Sequence, residues 1–425
     1  MKIRLYHAKV LTLIGHTPIF DGEVHVDGTE ITYAGPAVPD SAAVLFDREI
    51  DCCGNLVMPG FKNAHTHSAM TFLRSFADDL PLQDWLFRQV FPKEALLTAE
   101  DVHTLTKVAI LEYLTSGITA LSDMYFFRDT IAQACVETGF RGAIMDGVNN
   151  FGGGPEESEA EYHRINGMSQ LVSYKISVHG EYTTDLSLLK EMGMLTRKLK
   201  EPCFVHMNET EAEVAGCMER HGKRPFEVMD EAGLFDFGGN AYHCVHVSER
   251  EMEIMKDRSV YAVTCPASNM KLASGIAPVY EFLQRGIPVA IGTDGAASNN
   301  CLDLFREMFL VTGLQKLRHG ADAVDAIEVL QMACVNGARA LGFLDCDGIA
   351  PGKQADLIVI DLCQPNMQPE NNIAKNLVYS GSKQNVRMTM VAGKVLYEKG
   401  EFHVGVDAER LYAQANTIVD RMKRT

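Results

Sequence analysis

Short apolar runs, most of them with a polar residue at or near the C-terminal end, recur between amphipathic stretches through the middle of the chain. The runs are VMPGFKNAH, ITALSDM, RGAIMDG, KISVHG, CFVHM, AYHCV, VYAVTC and PVAIGTD. Unbroken apolar runs of this length fit strands buried on both faces, as in a parallel sheet. Helical spacing fills the intervals at 99–115, 127–138, 185–200, 211–220, 224–232, 249–257, 276–285 and 323–341. Eight strands alternating with helices predict an α/β fold, a (β/α)8 TIM barrel over residues 58–345. An open doubly wound sheet would show the same alternation. The polar residues separate the two: His65, His67, Asp123, His179, His206, His243 and Asp294 all end a run. Barrel enzymes build their sites at that end of the strands.

Outside the barrel the period changes. Residues 1–57 alternate apolar and polar positions between Gly and Asp punctuation, which predicts short antiparallel strands. Strand-like sequence returns in ADLIVIDL and VRMTMVAGKVLYEKG. Neither segment is large enough to stand alone, so 1–57 and 346–403 are expected to combine into one small β-sandwich. Residues 404–425 then read as an amphipathic C-terminal helix.

Composition narrows the possible partners. With 39 basic against 56 acidic residues the formal charge is −17, which repels a phosphate backbone and argues against nucleic acid. No run approaches the ~18 apolar residues of a membrane span, and the first residues lack a secretory h-region. The eleven cysteines form neither a CxxC pair nor a zinc-finger spacing, which fits reduced thiols in a cytoplasmic protein. A small neutral or cationic substrate, and a homo-oligomeric assembly, are expected.

The candidate chemistry lies at the run ends. His65 and His67 sit at i and i+2, so an extended strand aims both imidazoles at one point. His206 ends CFVH and Asp294 ends PVAIGTD. A lone HxH is often two surface histidines, and a strand-terminal Asp is often an N-cap. Three imidazoles plus a carboxylate, each at a strand end, instead suit one borderline divalent ion that activates water, with zinc first and iron(II) or manganese(II) as alternatives. Glu209, three residues after His206, is the expected proton carrier. In YHCVH, His243 and His246 both qualify as the water-facing group, and His243 is preferred because it follows the apolar entry directly.

At these residues the chain resembles the amidohydrolase superfamily, and is most similar to its methylthioadenosine/S-adenosylhomocysteine deaminase branch. The resemblance rests on PGFKNAHTH (59–67), HMNET (206–210), YHCVH (242–246), CPASNMKLASGIAPV (265–279), GTDGAASNN (292–300) and GIAPGKQADLIVID (348–361). It implies metal ligation by His65, His67, His206 and Asp294. It also implies that His243 rather than His246 contacts water, with Asp294 sharing that task. Glu209 would move protons and touch a purine ring, while Trp85, Glu94 and His179 would meet base and ribose. No lysine closes the fourth strand to bridge a second metal; His179 occupies that region, so the site is expected to be mononuclear.

The resemblance implies hydrolytic deamination of an adenine nucleoside to its inosine analogue and ammonia. The runner-up is deamination or dechlorination of another heterocycle (guanine, pterin or triazine), and a non-catalytic scaffold is a remote third. One stretch departs from the branch. Between Arg141 and Arg164 there is no arginine, and 146–162 carries several acids where relatives clamp a carboxylate tail. Methylthioadenosine, adenosine or 5′-deoxyadenosine therefore fits better than S-adenosylhomocysteine.

Overall fold

The computed structural model describes residues 1–15, 17–38, 45–80 and 82–424. Eight parallel strands form the barrel. They are Phe61–Thr66, Ile118–Met124, Arg141–Met145, a fourth split into Val172–Tyr174 and Ile176–Val178, Cys203–Met207, Gly239–His243, Val260–Thr264 and Val289–Ile291. Nearly every residue in them is buried, because the barrel interior covers one face and the helices the other. The two halves of the sheet meet at the fourth strand, where Val148 bridges Val178. The ring closes where the Asp294 amide donates to the His65 carbonyl at 3.0 Å. Gly292 permits that closure: a Cβ there would lie 2.8 Å from the His65 backbone.

The chain ends share one nine-stranded sheet, joined where Leu357–Ile360 pairs antiparallel with Leu56–Pro59. Alternation assigns their side chains to two cores. Val57, Leu357 and Val359 pack with Ile3, Leu5, Val24 and Met388 inside the sheet's own fold, while Leu56, Met58, Ile358 and Ile360 face the barrel. The sheet is not wholly antiparallel as expected. Lys2–Val10 pairs parallel with Arg48–Asp51 and Leu56–Pro59.

Two of the longer helices escape the apolar spacing. Pro155–Asn166 overlaps the acidic 146–162 stretch, with Pro155 opening it and Glu156 and Glu157 in its first turn. Leu304–His319 is apolar around much of its circumference and shows no stripe to detect. The predicted helix at 323–341 runs from Ala326 to Leu341 through a π-turn at Met332–Asn336. The last helix, Ala408–Arg424, buries Leu411, Ile418 and Met422 and contacts the Ala99–Thr115 helix, where Arg421 meets Asp101. No helix among the described residues is long and apolar enough to cross a membrane.

Candidate metal centre and active site

Four barrel strands deliver the polar cluster. His65 and His67 come from the end of the first strand, His206 from the fifth, His243 from the sixth, and Asp294 follows the eighth. Ligand atoms of His65, His67 and Asp294 lie within 4.8 Å of one another, as do those of His65, His206 and His243. Asp294 Oδ1 stands 3.6 Å from His65 Nε2 and 3.3 Å from His67 Nε2.

The outer partners aim these groups. His67 Nδ1–H donates to the Met124 carbonyl at 2.5 Å and His206 Nδ1–H to the His179 carbonyl at 2.7 Å. A carbonyl only accepts, so both rings turn an Nε2 lone pair inward. The Ser268 and Ser298 hydroxyls donate to Asp294 Oδ2 at 2.6 and 2.7 Å, and the Gly295 amide donates to Oδ1 at 2.8 Å. His65 differs. It is fully buried, stacks on Tyr242 with ring centroids 3.8 Å apart, and neither ring nitrogen has a hydrogen-bond partner among the described residues. An unsatisfied buried polar group costs about 1–3 kcal/mol. A divalent ion among these nitrogens and Oδ1 would satisfy it, and the donor set of imidazoles with one carboxylate fits such an ion.

Electrostatics at His65, His206 and Asp294 agree with that fit, and at His67 an arriving ion would displace a proton. Burial and the neighbouring imidazoles push His65 and His206 well below the ordinary imidazole value, which keeps them neutral and able to ligate. Burial opposes ionisation of Asp294, but the imidazoles led by His67 prevail and hold its carboxyl well below the usual range. His67 is correspondingly raised to about 9: burial works against its charge, and Asp294 outweighs it.

Glu209 faces this cluster. Its Oε2 lies 3.9 Å from His243 Nε2, and Ser274 Oγ donates to its Oε1 at 3.4 Å. Burial raises its pKa. His243 Nδ1 pairs with Asn269 Oδ1 at 2.9 Å, whereas His246 turns its Nε2 to the Ser274 carbonyl at 2.8 Å. His243, not His246, therefore points into the cluster. His179 lies against His206 with ring centroids 5.0 Å apart, bonds Thr183 Oγ1 through Nδ1 at 2.9 Å, and is lowered to about 4 by burial and His67.

The outer expected contacts are less uniform. Glu94 is buried at the end of the segment following the first strand, beside Tyr125, and its Oε1 has no partner among the described residues. Tyr125 in turn stands 6.2 Å, ring to ring, from His67, so Glu94 borders the site. Trp85 is buried within the main apolar core. The acids of 146–162 also read differently in three dimensions. Arg128 binds Glu161 at 2.7 Å and Glu157 at 2.5 Å, so these two carboxylates are already engaged. Sequence reasoning gave no role to Ser268, Asn269, Ser298 or Tyr242. All four lie in the shared motifs, Ser298 in the one that carries Asp294 and Tyr242 in the one that carries His243, and that is the available signal.

Comparison with known proteins agrees with this geometry. Residues 56–396 match the amidohydrolase family. A 5-methylthioadenosine/S-adenosylhomocysteine deaminase of Thermoanaerobacter pseudethanolicus is 37% identical over 97% of each chain. A zinc-bound adenosine deaminase of Xanthomonas campestris superposes with a TM-score of 0.93 at 33% identity, covering 100% of this chain and 98% of its own. A guanine-bound guanine deaminase of C. acetobutylicum reaches 0.83 at 21% identity, over 93% of this chain and 100% of its own, and shares the fold.

Proposed function

The chain belongs to the amidohydrolase family and is a metal-dependent hydrolytic deaminase, and we propose that it removes the C6 amine of an adenine nucleoside with an uncharged 5′ group. The observation that carries the reading is the unsatisfied, buried His65 among converging donors, with Glu209 standing opposite His243. His65, His67, His206 and Asp294 would hold one ion, zinc by preference. When bound, the ion supplies Lewis acidity that lets water ionise near neutral pH.

The remaining steps belong to the chain. His243, whose Nδ1 is engaged by Asn269, offers Nε2 toward the attacking water and, with Asp294, orients it and takes its proton. Glu209, whose carboxyl is raised by burial, gives a proton to the purine N1. That makes C6 electrophilic; oxygen adds there, a proton passes to the amine, and the C–N bond breaks to release ammonia. Trp85, Glu94 and His179 are assigned to base and ribose in the same reading.

The tail preference rests on charge. Arg128 is engaged by Glu161 and Glu157, and Arg164 by Asp129 at 2.7 Å, so neither of these arginines is free for a carboxylate tail. The test is an absorbance and ammonia-release screen of zinc-loaded protein with adenosine, 5′-deoxyadenosine, methylthioadenosine, S-adenosylhomocysteine, guanine and aminotriazines. The first three should be turned over well and S-adenosylhomocysteine at least about tenfold less efficiently. Equal efficiency with S-adenosylhomocysteine overturns the tail reading; turnover of guanine or triazines alone overturns the nucleoside reading. Glu209→Gln should lose about 10²–10⁴ of kcat while keeping its metal.

A further inference from the structure

One buried acid without a role in this chemistry is Glu213. It sits in the first turn of the Glu211–His221 helix and is only 7% exposed. Its two carboxylate oxygens divide between two consecutive peptide groups: Oε1 accepts from the Asn208 amide and Oε2 from the Glu209 amide, each at 2.7 Å. In an ordinary capping box, the third helical residue returns to the N–H of the cap itself. Here the cap is Thr210, whose hydroxyl accepts from the Glu213 amide at 3.1 Å, and the carboxylate reaches the two residues before it.

Those two residues form the bend between the metal-facing strand and the proton carrier. Asn208 adopts φ of 53°, a left-handed conformation that non-glycine residues rarely take. Its side-chain amide is fixed as well, donating to the His246 carbonyl at 3.0 Å and to Glu251 Oε1 at 2.9 Å. The bend is therefore held from both sides, and the side chain it directs into the site is Glu209.

We infer that Glu213 is a positioning residue: by holding the Asn208 and Glu209 amides it fixes where the Glu209 carboxylate stands relative to the substrate ring. This rests on Glu209 being the proton carrier, and it assigns Glu213 no contact with substrate or metal. Glutamine at this position keeps the size but only one carboxyl-type oxygen, so one of the two amides loses its acceptor and meets an NH2 group.

The test is a double-mutant cycle of Glu213→Gln and Glu209→Gln, with kcat, KM, zinc content and melting temperature measured on each zinc-loaded protein. Glu213→Gln alone should lower kcat about 10- to 100-fold, with KM and zinc content within about twofold. In the Glu209→Gln background the same change should cost less than about twofold, because the group it positions is already disabled. An equal loss in both backgrounds overturns the inference, since it would mark a structural effect. A normal kcat in Glu209→Gln alone sinks the proton-carrier reading instead, which separates the two failures. If Glu213→Gln folds poorly, Glu213→Asp keeps the charge and withdraws it by one methylene. It should show the same kcat loss at constant KM, and wild-type kcat in that variant would equally overturn the inference.

Discussion

The two ends of the barrel bury similar ionisable groups and treat them in opposite ways. At the N-terminal end, beneath the nine-stranded sheet, Lys62 donates to the Gly60 carbonyl and to Thr119 Oγ1, both at 2.8 Å. Arg141 grips Asp356 through two bonds, of 2.9 and 3.0 Å, and the Ala392 amide donates to the same carboxylate at 2.8 Å. At the C-terminal end, His65 and one oxygen of Glu94 have no partner among the described residues, and imidazoles crowd one another. A buried polar group that goes unsatisfied costs stability, so it persists where something outside the polypeptide completes it. The saturated end joins the sheet to the barrel; the unsaturated end is open to an ion and a substrate.

Removing the metal should give the largest effect and confine it to the open end. Prolonged chelation is expected to take turnover below detection, and added zinc to restore it. An ion present at about a thousand times its Kd contributes ~4 kcal/mol to stability. The melting temperature should drop accordingly, while far-ultraviolet circular dichroism below the transition stays unchanged. Full activity in rigorously metal-free protein would break the contrast.

The saturated end should respond in stability. Arg141→Met leaves Asp356 with Lys62 as its nearby cation, and breaking a buried pair costs about 3–5 kcal/mol. Denaturant melts should show that loss, while kcat of the remaining folded protein stays within a few-fold of the parent. The pH dependence has a definite sign. Burial opposes the Asp356 charge, yet Arg141 and then Lys62 outweigh it and hold the carboxyl below its usual value. A folded value below the unfolded one, about 4, gives stability that is fully present above pH 4 and is lost as the pH falls through the folded value. The deficit of Arg141→Met should therefore be largest at neutral pH and shrink in acid. A deficit that grows in acid would contradict the ion pair's role.

This contrast also marks what could be read from the chain. Strand ends were legible where an apolar run stops at the residue that enters the site, as CFVH does at His206 and PVAIGTD at Asp294. The Pro155–Asn166 helix was not, because its cohesion comes from Glu157 and Glu161 meeting Arg128 rather than from an apolar stripe. The break in the fourth strand at Lys175 leaves no mark in the hydrophobic pattern either. Ser268, Asn269, Ser298 and Glu213 look like ordinary loop and helix-start residues in one dimension. Ser268 and Asn269 meet side chains from other loops, Ser298 reaches back four residues to Asp294, and Glu213 meets backbone amides, so their roles show only in the closed barrel.

The smallest effect sharpens the comparison most, because its sign differs between the ends. In metal-free protein, His65→Leu replaces two unpartnered ring nitrogens with apolar atoms of similar bulk. It forfeits the stacking on Tyr242, for which ~0.5–1.5 kcal/mol is typical of aromatic pairs, but relieves about 1–3 kcal/mol of unsatisfied polarity. Its melting temperature under chelation should match or slightly exceed the parent's, and added zinc should no longer raise it. Thr119→Val is the counterpart at the saturated end: it strips Lys62 of one acceptor and should cost ~1–3 kcal/mol with or without zinc. Paired thermal melts of the two variants, each with chelator and with zinc, decide the matter. If His65→Leu destabilises the metal-free protein as much as Thr119→Val does, then His65 is held by the fold for its own packing, and the open end is not reserved for an ion.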